Sequence, residues 1–407
     1  MIEVRIHTLG HLGDGVARHD GEEVFVPFAL PGEIVSGELD GNRIEKPKIL
    51  SPVSDRIKPA CRHFKTCGGC TMQHPRDEVL SDWKLDQVKT TLAQAGLKTD
   101  FRPVMTSPPH SRRRAVFSGR RSKSGAIIGF HQRGSNDLID LLECPLVTPK
   151  IWAATEGLRP LVLMGASRKA EVRVTVTDAD TGVDVGVSEA KDLSPQQQSE
   201  LGQIAMRHGF SRITWNGEVV VQAHPPYQTF GRAQVVPPPG AFLQATRDGE
   251  QAMLAAVTEA VGEAGQIADL FAGCGTFTLP LAERADVLAV EGEEPMIEAL
   301  LQGWRAASGL HRVEAMARDL FRRPMLPDEF KGLDAVVIDP PRAGAQAQVT
   351  ELARSPINRI AFVSCNPATF ARDARILTNA GFTLDWVQVV DQFRWSAHVE
   401  LVAQFTR

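Results

Sequence analysis

From Gly240 to the C-terminus the chain alternates short apolar runs with longer amphipathic ones, and this alternation restricts the fold more than any other feature. A helical segment, Asp248–Glu263, leads into the apolar run Ile267-Ala268-Asp269-Leu270-Phe271. Further strand candidates are Val287–Glu291, Val313–Ala317, Leu333–Asp339, Arg359–Ser364 and Leu384–Val390, with His398–Phe405 last. Helical segments separate the earlier ones. Strand–helix alternation predicts an α/β, doubly wound parallel sheet. Such sheets bind ligands beyond the carboxyl ends of their strands, so the residues ending each run are the ones to read for chemistry.

At 407 residues the chain is long enough for two or three domains. In the first fifty residues, short alternating runs such as Glu23–Pro27 and Glu33–Leu39 are broken by Gly10, Gly13, Gly15, Gly21 and Pro31-Gly32. That pattern suits a small β-barrel of the oligonucleotide-binding sort, or another small β-domain. A central region carries strand-like stretches such as Glu171–Val176 and a helix over Asp77–Ala95, and Pro237-Pro238-Pro239-Gly240 closes it. The expected boundaries are 1–52, 53–240 and 241–407. No apolar run approaches the roughly 18–20 residues of a membrane helix. Met1–Arg5 lacks the basic start and apolar stretch of a secretory signal. A soluble, cytoplasmic chain without membrane contact is expected, and nothing in the sequence calls for an obligate protein partner.

The net charge of −4 hides an uneven distribution. Between Asn42 and Lys123 there are 18 Lys and Arg against 7 Asp and Glu. A basic block inside an acidic chain is the footprint of a polyanion site or a solvated basic face.

Three strand ends carry chemistry-bearing residues. The first runs into Asp269-Leu270-Phe271-Ala272-Gly273-Cys274-Gly275-Thr276-Phe277, where the glycines let backbone approach a ligand. The next strand ends at Glu291, suited to the two hydroxyls of a ribose. The third glycine of a pyrophosphate loop is absent, because position 278 is Thr. An adenosyl cofactor without phosphates therefore fits better. Asp339-Pro340-Pro341-Arg342 forms a rigid rim, since prolines cannot continue a central strand. Ser364-Cys365-Asn366-Pro367 places a thiol just before a helix, Thr369–Asn379, whose N-terminus would favour the thiolate.

Of six cysteines, Cys61, Cys67 and Cys70 fall within ten residues, with Gly68 and Gly69 between them. Cys144, in Leu142-Glu143-Cys144-Pro145, is the obvious fourth ligand of a metal centre. Four thiolates suit zinc or a four-iron cluster.

Taken together, Asp269–Phe277, Asp339–Arg342, Ser364–Pro367 and His398-Val399-Glu400 resemble the RNA uracil-5-methyltransferases. Cys61-x5-Cys67-Gly68-Gly69-Cys70, with Gln73-His74 after it, resembles the iron–sulfur branch of that family acting on 23S ribosomal RNA. The N-terminal strands, with Ala29–Glu33, resemble the small RNA-binding barrel called TRAM. The resemblance spans almost the whole chain. It implies a Rossmann-like methyltransferase domain, a TRAM barrel and a central iron–sulfur α+β domain. It also implies S-adenosylmethionine, a [4Fe-4S] cluster on Cys61, Cys67, Cys70 and Cys144, and 5-methyluridine as product.

Carried over by position, the nucleophile falls on Cys365 and the proton acceptor on Glu400. Cofactor contacts fall on Gln244, Phe271, Glu291 and Asp339, and on Thr276 and Asp319, where many members carry Asn. Arg394 stands where the segment before the last strand usually has Pro. In the implied reaction a thiolate adds to carbon 6 of uracil, carbon 5 takes the methyl group, and a base removes the carbon-5 proton to release the enzyme. His398, two residues from Glu400, shares its strand face, so spacing does not exclude it as the base, but it ranks as a substrate or structural contact. Arg112, Arg113, Arg114, Arg120 and Arg121 are candidates for phosphate contacts; Phe393 and Trp395 are candidates for base stacking, though an aromatic in such a place is more often simply core. The competing readings are the same chemistry on tRNA, a non-catalytic RNA-binding protein and a small-molecule methyltransferase. Joint presence of Cys365 and Glu400 favours an enzyme, and the barrel and cysteine cluster favour ribosomal RNA.

Overall fold

The alternating pattern of the first fifty residues becomes five strands in the computed structural model, which describes residues 1–407. These are β1 (Ile2–Leu9), β2 (Gly15–His19), β3 (Glu22–Val26), β4 (Ile34–Gly37) and β5 (Lys48–Ser51), ordered β3-β2-β1-β4-β5. The Phe25 N–H donates to the Asn42 carbonyl (2.9 Å) and the Ile44 N–H to the Phe25 carbonyl (3.0 Å), which closes the sheet into a barrel. Only eight buried apolar residues form its core, few for independent stability.

Buried carboxylates tie the barrel to its surroundings. Glu33 takes two hydrogen bonds from Arg56, at 2.5 and 2.6 Å. Asp14 accepts from Arg43 (2.8 Å) and from Arg133 of the central region (3.1 Å). Gly13, in the left-handed region (φ 87°), lies against Met72, and a Cβ there would come within 2.6 Å of the Met72 sulfur.

Next come α1 (Asp77–Gln94) and the short strands β6 (Asp100–Phe101) and β7 (Met105–Thr106), whose partners lie at the far end of the chain. A seven-stranded sheet follows, built from β8 (Arg114–Arg121), β9 (Ala126–His131), β10 (Leu138–Asp140), β11 (Val172–Ala179), β12 (Gly182–Ser188), β13 (Phe210–Trp215) and β14 (Glu218–Gln222). Its order is β10-β9-β8-β11-β12-β13-β14. α2 (Pro149–Gly165) and α3 (Pro195–His208) pack on it. Thr148 caps α2 ahead of Pro149. Ser194 and Gln197 form a reciprocal capping box at the start of α3. β15 (Gln228–Phe230) and β16 (Ala233–Val235) form a separate hairpin.

The rest of the chain supplies α4 (Arg247–Val261), β17 (Gln266–Leu270), α5 (Thr278–Leu281), β18 (Asp286–Glu291), α6 (Glu294–Ala306) and β19 (Val313–Ala317). β20 (Ala335–Ile338), α7 (Gln346–Ala353), β21 (Arg359–Ser364), α8 (Pro367–Asn379), β22 (Thr383–Asp391) and β23 (Glu400–Thr406) complete it. The strand order is β19-β18-β17-β20-β21-β23-β22-β6, with β7 also on β22. β20 is buried along its whole length, as a strand covered on both faces must be.

The sheet is not parallel throughout, which corrects the expectation from strand–helix alternation. β23 runs antiparallel to both β21 and β22. Residues 392–399, between β22 and β23, are too few for a crossover helix, so the chain must turn back. The register pairs Ser364 with Leu401 and Val390 with Glu400. No helix is long and apolar enough to cross a membrane.

α1 packs on α8 and β22. There Lys84 reaches Asp391 at 2.5 Å, both side chains fully buried, and donates to the Phe393 carbonyl at 3.1 Å. Burial pushes the Lys84 ammonium down and the Asp391 carboxyl up, while their mutual attraction opposes both shifts. Removing one partner strands a buried charge. Lys84→Met alone is therefore expected to cost about 3–5 kcal/mol in denaturant unfolding, and adding Asp391→Leu should restore most of it.

Candidate active site

Cys365 lies one residue beyond β21, and Glu400 opens β23. The antiparallel register brings them to the same edge of the sheet, one step past the Ser364–Leu401 pair. Glu400 is buried. Burial first, and Asp339 next, push its carboxyl up to about 8, with the Gln392 amide and Arg342 acting the other way. The half-buried Cys365 thiol is pushed up to about 11 by burial and by the Glu400 and Asp339 carboxylates.

The thiolate-favouring effect expected of α8 is thus overridden. Asn366, not Cys365, caps the helix, and its side chain takes the Ala368 N–H at 3.1 Å. Asp339 is itself raised to about 7 by burial and by Asp269. Asp269 is raised to about 7 by burial, although the Thr278 hydroxyl donates to it at 2.6 Å.

A second cleft wall forms where β17 and β18 end. Phe271 takes a left-handed backbone (φ 63°), uncommon for a bulky residue, and its ring meets Phe321 at 5.5 Å. Glu291 accepts the N–H groups of Gly273 (2.9 Å), Gly292 (2.6 Å) and Glu293 (3.0 Å). The Gly273 N–H is therefore engaged by a carboxylate instead of facing a phosphate. Thr276 is half-buried on the same loop. The Asp319 carboxylate accepts from Phe321 (3.0 Å) and Arg322 (3.3 Å), which shapes the turn carrying Phe321.

Gln244 connects the two walls. Its amide donates to Asp339 at 3.2 Å and its carbonyl accepts from Gln392 at 2.7 Å. Gln392 also donates to Glu400 at 3.2 Å. Gln392 and Phe321 escaped the sequence reading. The only signal for Gln392 was its place in the short segment before the last strand, and for Phe321 its position two residues after Asp319. His398 lies outside β23, exposed, with Nδ1 3.5 Å from Arg342 and its ring edge-on to Phe393. It shares no hydrogen bond with the Glu400 network. Arg394 ion-pairs with Asp77 and donates to the Ser107 carbonyl at 3.1 Å, so it fastens the segment before β23 to α1.

Cys61, Cys67, Cys70 and Cys144 line one open cavity of about 610 Å³, together with Arg112, Arg342, Phe393 and His398. Nowhere are three His, Cys, Asp or Glu side chains gathered tightly enough to hold a single metal ion. Burial raises the thiols of Cys61, Cys67 and Cys70, the last to about 12, and charge on Cys144 would raise all three further. The loop is pinned by the Gly68 N–H on the His131 carbonyl (2.9 Å) and by Gln73 on the Cys61 N–H (3.0 Å).

The basic block is not one free face. Arg56, Lys84 and Arg102 are spent in ion pairs. Arg113, expected to meet phosphate, is buried against Glu250 and donates to the Gln244 carbonyl at 2.9 Å. Arg112 and Arg114 are half-buried, Arg120 lies 3.7 Å from Glu171, and Arg121 is exposed. Phe393 is half-buried beneath Arg112, 5.9 Å from ring to guanidinium, and stays available for stacking. Trp395 does not. It is buried with Met72, Leu80 and Trp83.

Comparisons with known proteins agree with this layout. Residues 231–406 match the family profile described as tRNA (Uracil-5-)-methyltransferase, and residues 1–36 match the TRAM domain. A protein of Caulobacter vibrioides described as an uncharacterized RNA methyltransferase is 44% identical over 416 residues, covering 100% of both chains. One of Brucella suis with the same description is 40% identical over 405 residues, covering 100% of this chain and 98% of its own. The 23S rRNA (uracil(1939)-C(5))-methyltransferase RlmD of Pectobacterium atrosepticum is 29% identical over 429 residues, covering 99% and 93%. In fold, the chain resembles the Pyrococcus abyssi tRNA (uracil-54, C5)-methyltransferase solved with S-adenosyl-L-homocysteine. The TM-score is 0.77 at 24% identity, with 99% of each chain covered.

A thiol held near 11 is almost wholly protonated at neutral pH. Alkylation of Cys365 by iodoacetamide, followed by peptide mass analysis, should therefore rise about tenfold per pH unit up to roughly pH 10. A plateau near the ordinary thiol value, about 8.5, would contradict this. Because Glu400 and Asp339 contribute to the shift, Glu400→Gln should move the curve to lower pH.

Proposed function

The chain belongs to the RNA methyltransferases that carry a tRNA (Uracil-5-)-methyltransferase domain behind an N-terminal TRAM domain, and from that membership we propose that it methylates carbon 5 of a specific uridine in 23S ribosomal RNA. The observation that carries the proposal is the pairing of a thiol and a raised carboxyl, Cys365 and Glu400, on adjacent antiparallel strands. A non-catalytic binding protein needs neither. The ribosomal target is supported by likeness to the Pectobacterium enzyme over nearly the whole chain. The name of the matched domain and that of the Pyrococcus enzyme favour a second reading, the same reaction on tRNA.

When bound, S-adenosylmethionine would supply an electrophilic methyl group, its sulfonium S–CH3 bond breaking so that it departs as the neutral thioether S-adenosylhomocysteine. Residues suited to hold it are Gln244, Phe271, Glu291 and Asp339, with Thr276 and Asp319 on the adjoining turns. The Phe271–Phe321 wall suits a flat adenine, and the half-exposed Glu291 carboxylate suits ribose hydroxyls. Glu291 already occupies the Gly273 N–H that a phosphate would use, which fits a cofactor lacking phosphates.

The target uridine must leave its stack to expose both ring faces. Cys365 loses its proton to solvent on the open side of the cleft as its sulfur bonds to carbon 6. The ring electrons then make carbon 5 nucleophilic, and carbon 5 takes the methyl group. Glu400 next accepts the carbon-5 proton. The electrons of that C–H bond form the C5=C6 double bond, and the S–C6 bond breaks to return the Cys365 thiolate. A carboxyl raised to about 8 is a stronger base than an ordinary one, and its ionised fraction grows through neutral pH.

Cys61, Cys67, Cys70 and Cys144 are proposed to hold a [4Fe-4S] cluster. What supports the reading is the sequence spacing of the four cysteines and their place along one open cavity; their side chains are not gathered into a tight ligand group. No catalytic step is routed through the cluster. It would brace the loop beneath Arg112 and Phe393, where RNA is expected to lie.

Incubation with 23S rRNA fragments and with tRNA transcripts tests the reaction and the substrate together. Glu400→Gln should accumulate a methylated protein–RNA adduct that survives denaturing electrophoresis, with the ribosomal fragment and not with tRNA. Cys365→Ala should give no adduct and no product. Normal turnover by Glu400→Gln, or an adduct in Cys365→Ala, would refute the assigned roles. Metal analysis of anaerobically purified protein should find iron and labile sulfide near four per chain. Stoichiometric zinc without sulfide would refute the cluster.

A further inference from the structure

Gln392, the first residue after β22, is 1% exposed, and every hydrogen-bonding position of its amide except one carbonyl lone pair is used. Its Oε1 accepts the Ala245 N–H at 2.7 Å. That bond fixes which end of the amide is oxygen, so the NH2 group must point the other way. The two N–H bonds then divide between Gln244 Oε1 (2.7 Å) and Glu400 Oε1 (3.2 Å).

Gln244 in turn donates to Asp339. One unbroken chain of side chains, Asp339–Gln244–Gln392–Glu400, thus links the cofactor wall to the base. The first turn of α4 makes room for it. A Cβ on Gly249 would stand 2.6 Å from the Gln392 Cβ. Behind Gln244, the buried Arg113–Glu250 pair fixes the same turn.

We propose that Gln392 is a positioning residue for proton removal, holding the Glu400 carboxylate in place and joining it to Gln244 so that base and cofactor wall form one unit. The proposal rests on the reading of Glu400 as the proton acceptor. An amide that can only donate toward Glu400 favours the ionised carboxylate, the form that accepts a proton. The other charged or titratable groups facing Glu400 are Cys365 beyond β21, and Asp339 and Arg342 beyond β20. Asp339 opposes ionisation, whereas Arg342 and the Gln392 amide favour it.

The test is the decay of the methylated protein–RNA adduct in single turnover from pH 6 to 10, in the full-length protein. Gln392→Met keeps the length of the side chain and loses both N–H donors. At pH 7 its adduct should decay about tenfold more slowly than that of the wild type. The difference should shrink toward pH 10, because the midpoint moves to the alkaline side when the donor is lost. At saturating S-adenosylmethionine, adduct formation should slow much less than adduct decay, because Gln392 does not touch Cys365; equal slowing of both steps would overturn the proposal.

Gly249→Ala presses on Gln392 without removing the amide. It should shift the midpoint in the same direction by less, and it decides the matter if Gln392→Met fails to fold. Decay at the wild-type rate and midpoint in the folded variants would overturn the proposal while leaving Glu400 in its role. Absence of adduct from both wild type and Glu400→Gln would remove the Glu400 reading, and this proposal with it.

Discussion

Antiparallel entry of β23 between β21 and β22 is the constraint on which the site depends. A strand running parallel to β21 would begin at the opposite edge of the sheet and carry Glu400 away from Cys365. Because the connection is a short turn, the start of β23 meets the end of β21. The same turn carries Gln392, Phe393 and His398 into the cleft. Its shape is set from outside, by Lys84 under Asp391 and by Arg394 on Asp77. The Cys365 thiol and the Glu400 carboxyl thus lie at the edge of one sheet, while the loop between β22 and β23 is held by a helix from an earlier part of the chain.

Electrostatically, the ligand-free cleft is poised close to neutrality. Asp269, Asp339 and Glu400 are all lifted toward 7 or 8, and Cys365 toward 11, with burial the first cause in each. Three carboxyls crowded into a dry pocket cannot all ionise cheaply. A substrate ring bringing its own donors and acceptors changes that balance. In the ligand-free cleft the Cys365 thiol rests protonated at neutral pH.

The alternating apolar runs located the last seven strands nearly to the residue, because buried strands of a doubly wound sheet read as continuous apolar stretches. Strand-end motifs likewise placed Cys365, Asp339 and Glu291 along one edge, whereas Glu400, at the start of its run, was reached only through the family resemblance. Direction was not legible for β23, since strand periodicity is the same in either sense. Nor was side-chain fate in the basic block. Arg113 sits between Arg112 and Arg114 yet is the one turned inward, to a Glu250 distant in sequence. Trp395 was equally ambiguous, because an aromatic beside a site serves as core or as a stacking platform depending on contacts that no local pattern records. Gln392 has no local signature, for its partners at 244, 245 and 400 meet only in three dimensions.

The pair formed by Lys84 and Asp391 spans 307 positions of the chain, and β6 and β7 likewise pair with β22. On the ribosome, where the N-terminal part emerges first, α1 and these two strands have no seat until almost the entire polypeptide has been made. During that interval an ammonium destined for a dry interior stays hydrated, and two strand edges stay open. The last strands supply the seat both for α1 and for the segment between β22 and β23. A nascent chain released a few dozen residues early would lack both the seat for α1 and Glu400.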